Sequence, residues 1–336
     1  MKVGSAPAAV LAIDGGNSKT DVALVGPDGA LLAAARGPGT SVDDRRIETS
    51  MVVLDDLVTA AARQAGIDPA GPIAEHTSAF IAGADLPQEE ERLATVLATR
   101  GWSRSIRTGN DTFAVLRAGT QRPWGVGVTC GAGINCVGVA PGGEQTRFLA
   151  LGRFTGDWGG GLDLGVEVMW WATRAEDGRG EPTALSKAVA DYFGKPTASD
   201  VAIGIHLGEL DTDDLIRLTY VLFDVADEGD EVAIRVVDRL AEEISVMALV
   251  AMRRLGLTEL DTELALGGGL LMARNPRLTN GVHDRVLAEA PATRIGIVDV
   301  PPIAGAALLG LDHLGVDPQA QDRLRAAYAT ADSAVG

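Results

Sequence analysis

The sequence predicts an α/β protein with two domains and a central cleft, and two observations carry that prediction. The first is a repeated device. Ile13-Asp14-Gly15-Gly16-Asn17-Ser18-Lys19-Thr20-Asp21 is a glycine turn followed by an apolar run and a Pro27-Asp28-Gly29 turn. Thr129-Cys130-Gly131-Ala132-Gly133-Ile134-Asn135 is a second such turn, followed by Val137 to Val139 and Pro141-Gly142-Gly143. The offset is about 116 positions from Asp14 to Cys130 and about 114 from Pro27 to Pro141, so half the molecule reads as duplicated. The second observation is that each copy opens as a strand meander and continues with helices and strands in alternation, the pattern of sheets flanked by helices.

In chain order, strands are expected at about 8 to 14, 21 to 26 and 30 to 36. An amphipathic helix follows over roughly 44 to 66, with Ile47, Met51, Leu54, Leu57 and Val58 on its apolar face, and Asp68-Pro69 ends it. A buried strand (77 to 83), a helix opened by Pro87 and running to Arg100, a strand (104 to 109) and a helix from Asp111 complete the first half. Trp124 to Thr129 begins the second meander. A helical insertion then covers about 162 to 256; its signals are Pro182 at a helix start, Ser199-Asp200 and Asp211 as N-caps, and a long helix from Asp230. A strand from Glu263, glycines 267 to 269, a helix after Pro276, a strand (294 to 300) and a helix from Ile303 close the chain. The boundaries read as 1 to 120 for the first domain and 121 to 315 for the second, with a helix from about 315 packing back on the first and a frayed tail after Ala331.

Composition narrows the function. With 29 basic and 46 acidic residues the net charge is −17, which disfavours nucleic acid as a partner. No apolar run approaches the roughly 18 residues that cross a bilayer, and the opening Met1 to Pro7 lacks the apolar segment of a signal peptide, so a cytoplasmic protein with no membrane partner is expected. Cys130 and Cys136, the two cysteines, read as reduced buried thiols. His76, His206, His283 and His313 lack ligand spacing, which argues against a transition-metal site.

The glycine turns point to phosphate. Gly15, Gly16, Asn17, Ser18, Lys19 and Thr20 do not have P-loop spacing and lead into a strand, so a β-hairpin tip, not a helix N-terminus, would make the contact. Asp14 ends an apolar strand and would be costly to bury unpaired; a hydrated Mg²⁺ linked to phosphate oxygens would account for it, as would a capping role in a plain hairpin. Gly131, Ala132 and Gly133 would hold phosphates on the opposite wall, with Asn135 in the same cleft. Asp111 stands after Asn110 where a strand meets a helix; it can N-cap the helix, or accept the proton of a hydroxyl attacking a γ-phosphate. Asp157, before Trp158 and three glycines, suits polyol hydroxyls, or again an N-cap. Gly267, Gly268 and Gly269 leave room for a flat ring such as adenine.

Together these motifs resemble the sugar kinase, Hsp70 and actin superfamily across nearly the whole chain, and within it the BadF/BadG/BcrA/BcrD-type ATPases and N-acetylglucosamine kinases. The resemblance rests on Asp14 to Asp21, on Asn110-Asp111 with Ala114, on Cys130 to Asn135, on Gly156-Asp157 with Gly159, on Gly267 to Gly269, and on Pro302-Ile303-Ala304-Gly305-Ala306-Ala307. It implies a duplicated actin-like (ribonuclease H-like) ATPase fold with a nucleotide cleft that closes over its substrate. It also implies ATP and Mg²⁺ as cofactors and transfer to the 6-hydroxyl of an amino sugar such as N-acetylglucosamine or glucosamine, with Asp111 as base. Ser41, Asn110, Asn135 and Asp157 fall at substrate positions, and a homodimer is common in the family. Gly39-Thr40-Ser41-Val42 replaces the usual Thr-Asn of the sugar loop, Ala132 a Thr, Ile134 a Ser and Trp158 a Glu, which makes the expected sugar pocket bulkier and more apolar. The other branch of the family, ATPase activators of dehydratases or reductases, holds an iron–sulfur cluster on cysteines placed unlike Cys130 and Cys136. A non-catalytic nucleotide-dependent switch is the third reading.

Overall fold

The computed structural model describes residues 8–42 and 47–332. The opening Met1 to Pro7, the predicted helix start at 44 to 46 and the tail beyond 332 lie outside the described residues. The chain divides into two compact units: Met1–Gly127 with Val137–Leu149 and Val298–Gly336, and Val128–Cys136 with Ala150–Ile297.

The first sheet contains β1 (Ala8–Gly15), β2 (Lys19–Val25), β3 (Leu31–Pro38), β4 (Ala74–Ile81) and β5 (Ser103–Gly109), in the order β3-β2-β1-β4-β5. β1, β2 and β3 form an antiparallel meander, while β4 and β5 run parallel to β1 and to each other. The second sheet contains β6 (Gly125–Cys130), β7 (Ile134–Val139), β8 (Gln145–Arg147), β9 (Glu263–Gly267) and β10 (Arg294–Ile297), in the order β10-β9-β6-β7-β8. Read from its meander end, the second order repeats the first strand for strand, so the duplication seen in the glycine turns extends to the topology.

In the first unit, α1 (Ile47–Gln64) and α2 (Pro87–Ala98) cover one face of the sheet. Met51, Leu54, Val58, Ala61, Leu93 and Leu97 pack there with Leu11, Ile13, Val22, Leu24 and Ile81; each such Leu or Ile contributes about 1.5–3 kcal/mol of burial. All eight residues of β1 are buried, as in a strand with both faces covered. Its other face lies under α3 (Asp111–Gly119) and α11 (Pro302–Leu314). α11 can approach this closely because it is small: a Cβ at Gly305 would stand 1.9 Å from the Ala114 carbonyl oxygen.

The second unit carries α4 (Gly160–Glu176), α5 (Leu185–Phe193), α6 (Ala198–His206), a 3₁₀ helix (Thr212–Arg217), α7 (Leu218–Asp227) and α8 (Glu231–Leu255) in the helical insertion. The short α9 (Gly269–Met272) and α10 (Pro276–Glu289) follow. Asp211 and Asp230 cap their helices as expected. α6 is capped by Thr197, which accepts from Asp200 N, not by Ser199-Asp200, because the helix begins two residues earlier than a Ser199 cap would set it.

The last helix, α12 (Pro318–Asp332), is fastened to α3 by two arginines. Arg117, 2 % exposed, donates from Nε to Asp312 at 2.7 Å, from Nη2 to Gln321 at 2.7 Å and from Nη1 to the Thr120 carbonyl at 3.0 Å. Arg325 reaches back to the carbonyls of Ala118 (3.1 Å) and Arg117 (3.2 Å), satisfying acceptors that a helix C-terminus otherwise leaves to water. Replacing Arg117 by Ala is expected to lower the unfolding free energy by about 3 kcal/mol, as for a broken buried ion pair, read from urea unfolding.

Candidate active site

The Asp14 turn is a β-hairpin. Gly16 N donates to Lys19 O at 2.9 Å, and Asn17, Ser18 and Lys19 form an exposed tip. Thr20 faces inward: it is fully buried and its hydroxyl bonds that of Thr40 at 2.9 Å. Gly15 is buried, and Ser41 is buried with its backbone N–H on the Ser50 hydroxyl at 3.0 Å. Asp14, at the end of β1, sits opposite Asp21 across the hairpin. The cations nearest in charge to Asp14, Lys19 and Arg36, both pair with Asp21, at 3.8 and 2.6 Å. Asp14 is thus buried with no bonded cation among the described residues, and its carboxyl is pushed well above the ordinary range, by burial first and then by the charges of Asp111 and Asp21.

Asp111 opens α3, but it does not cap it. The cap is Asn110, 3 % exposed, whose Oδ1 accepts from Thr112 N at 2.8 Å. The Asp111 carboxyl is left for other work, and burial raises it from 3.8 to about 6. Asp14, buried, and Asp111, half-buried and not the helix cap, suit a divalent cation and a proton acceptor.

In the second unit Gly131, Ala132 and Gly133 form the tip between β6 and β7, closed by Gly131 N to Gly133 O at 2.9 Å. The start of α4 is docked on the inner side of this tip: Gly161 N donates to Gly131 O at 2.7 Å and Leu162 N to Ala132 O at 3.1 Å. On the outer side the tip is open, since a Cβ built at Gly131 or Gly133 meets nothing within 4 Å. This is the cradle a polyphosphate needs, with small residues and exposed backbone. Asn135 is half-buried beside it, its Oδ1 accepting from Cys136 N at 2.7 Å.

Asp157 is buried, and it is not a cap either, since Gly159 occupies that position of α4. Its Oδ2 accepts from the Thr155 hydroxyl at 2.5 Å. Trp158, 5 % exposed, lies under the Arg239 guanidinium at 3.8 Å from its ring centre, and Ile134 is 7 % exposed. These two bulky replacements are therefore absorbed into the packing of the unit. Gly267 ends β9; at Gly268 a Cβ would stand 2.3 Å from Cys130 O and φ is +91°, so this glycine is required by packing, whereas Gly269 faces open space. Cys130 and Cys136 are fully buried free thiols; burial pushes Cys130 up to about 12 and Cys136 higher still, so both stay protonated.

Sequence reasoning missed Asp85, whose Oδ1 accepts from Asn110 Nδ2 at 2.7 Å. The signal available was weak: an acidic residue just before the Leu86-Pro87 start of α2. It also missed that His76 and His313, far apart in sequence, stack at 4.1 Å.

Two sheets of one strand order, each with a glycine hairpin beside its first strand, define the duplicated actin-like ATPase fold. The chain belongs to the BadF/BadG/BcrA/BcrD ATPase family, whose profile matches residues 11–310. It is similar to the N-acetylmuramic acid/N-acetylglucosamine kinase of Clostridium acetobutylicum, 26 % identical over 266 residues that cover 78 % of this chain and 85 % of that one. It is also similar to the N-acetyl-D-glucosamine kinase of Dictyostelium discoideum, at 22 % identity over 90 % of this chain and 97 % of that one. Among solved structures, a Chromobacterium violaceum protein named provisionally as an N-acetylglucosamine kinase superposes with a TM-score of 0.71 at 22 % identity, covering 90 % of this chain and 99 % of the other. The ROK hexokinase of Thermus thermophilus gives 0.57 at 18 % identity, covering 91 % and 99 %.

Because Asp111 is held above its ordinary 3.8, the folded protein binds more protons than the unfolded chain between about pH 4 and 6. Ionisation of this group then costs stability above that window. Asp111→Asn is expected to raise the thermal midpoint at pH 7.5, with the gain shrinking as the pH falls to 5.

Proposed function

We propose that this protein is an ATP-dependent sugar kinase that phosphorylates the 6-hydroxyl of an amino sugar such as N-acetylglucosamine or glucosamine. The observation that carries the reading is the division of labour at the start of α3: Asn110 caps the helix, so the Asp111 carboxyl is available to take a proton. The family and the two kinases it resembles in sequence support the same reaction class.

In this reading Asp111 accepts the proton of the acceptor hydroxyl as it attacks the γ-phosphate, and a value near 6 keeps it ionised at neutral pH yet basic enough to work. Asn17, Ser18 and Lys19 at the first hairpin tip, with Gly15 and Gly16, and the backbone of Gly131, Ala132 and Gly133 at the second would bind phosphates. Gly269, with Gly267 and Gly268 beside it, would face the adenine. Asp14 would hold Mg²⁺ through water; the ion, when bound, neutralises phosphate charge. Asp157, oriented by Thr155, and Asn135 would bind sugar hydroxyls, with Ser41 nearby, whereas the Asn110 carboxamide is taken up by Thr112 N–H and Asp85. Thr20 is left to structure, because its hydroxyl is spent on Thr40.

No helix among the described residues is long and apolar enough to cross a membrane. The fully buried thiols count against the activator reading, because neither sulfur is presented to a cluster.

The test is ADP release with ATP, Mg²⁺ and a panel of hexoses, hexosamines, their N-acetyl forms and N-acetylmuramic acid. An amino sugar is expected to stimulate release, and ATP consumption indifferent to every sugar would overturn the proposal in favour of an ATPase or switch. Asp111→Asn is expected to lower turnover by about 10²-fold or more with its fold intact; turnover near that of the unaltered protein would remove Asp111 from the role of base.

A further inference from the structure

The end of the first sheet holds an acidic side chain that the proposed chemistry does not use. β4 and β5 run parallel and finish level, with Phe80 opposite Gly109, so the loops leaving them emerge side by side. Asp85 lies on one loop and Asn110 on the other. Asp85 is fixed through its backbone: its N–H and that of Leu86 both donate to Glu89 Oε2, at 2.9 and 2.8 Å, in the capping box that starts α2. Its side chain then accepts from Asn110 Nδ2 at 2.7 Å, while Asn110 Oδ1 accepts from Thr112 N at 2.8 Å.

A carboxamide can sit either way round, and these two partners are of opposite kinds. In the observed orientation the NH₂ group meets a carboxylate and the oxygen meets a backbone N–H. Turned over, the oxygen would face the carboxylate and the NH₂ group would face Thr112 N–H, with both bonds replaced by repulsion. We propose that Asp85 is a positioning residue: by holding one N–H of Asn110 it fixes the carboxamide in the capping orientation, and so sets the first turn of α3 and the place of Asp111. An Asn at 85 cannot enforce this, because its amide both donates and accepts and could pair with either end of the carboxamide. Asp85 acts through Asn110 and touches no reacting atom. The inference rests on Asp111 being the base, so its test needs a readout that does not depend on catalysis.

The experiment compares Asp85→Asn, Asn110→Ala and the double variant in the full chain. Amide hydrogen exchange over residues 111–114 is expected to quicken in all three. Turnover with the best sugar of the panel is expected to fall by about 10- to 10²-fold, the scale of a misplaced catalytic group, with the KM for ATP within about twofold. The double variant should be no slower than Asn110→Ala alone, since both act through one contact. Unchanged exchange in Asp85→Asn overturns the proposal. So does quickened exchange with unaltered turnover, which is a structural role only, and so do losses that multiply in the double variant. If no sugar is phosphorylated by the unaltered protein, the kinase reading fails on its own, and exchange together with basal ATP hydrolysis decides the part played by Asp85.

Discussion

The first sheet ends on carboxylates that water does not fully reach, and the surrounding structure is arranged around that cost. Removing an ion from water costs several kcal/mol even after relaxation, and a neighbour of like charge adds to it. Asp14 bears both penalties, since Asp21 takes the cations and Asp111 adds repulsion. Such a group is tolerated when something outside the chain repays the cost. In the proposed reading a divalent cation with phosphate oxygens would do so, and the cost would then become affinity for the cofactor in place of loss of fold.

Most of the architecture was legible in the sequence. Glycine turns, proline starts and apolar periodicity are local signals, and they located nearly every strand and the insertion. The repeat offset between Asp14 and Cys130 anticipated two sheets of one order. What was illegible depends on partners distant in the chain. That Asn110 and not Asp111 caps α3 is a question of one residue of register, which local preference cannot decide because both side chains are good caps. Thr20 reads as a phosphate ligand until Thr40 arrives across the sheet. Nothing local marks Arg117 as buried, because its partners Asp312 and Gln321 arrive with α11 and α12. Trp158 and Ile134 read as walls of a sugar pocket, yet they pack inward.

The two copies have diverged at the position where they are most alike. Asp14 and Cys130 both end the first strand of their sheet, and burial raises both. The outcome differs because the starting values differ. The carboxyl remains an acid that a cation can draw into its charged form, whereas the thiol stays neutral and serves as packing beneath Gly268. One sheet has kept charge at its edge, and the other has exchanged it for a tight backbone fit that leaves its hairpin tip bare.

The route of the chain through the two units has a consequence for how the protein is made. The first unit draws on residues from before and after the other unit, and α11 and α12, which cover β1 and fasten α3, are synthesised after that unit. The long segment between, from Ala150 to Ile297, belongs to the other unit and leaves the ribosome complete beforehand. During synthesis β1 must therefore wait with one apolar face uncovered while a later part of the chain folds. These helices act as a seal, and a chain cut short before Pro302 would keep the hairpin sequence but lose the layer that covers β1.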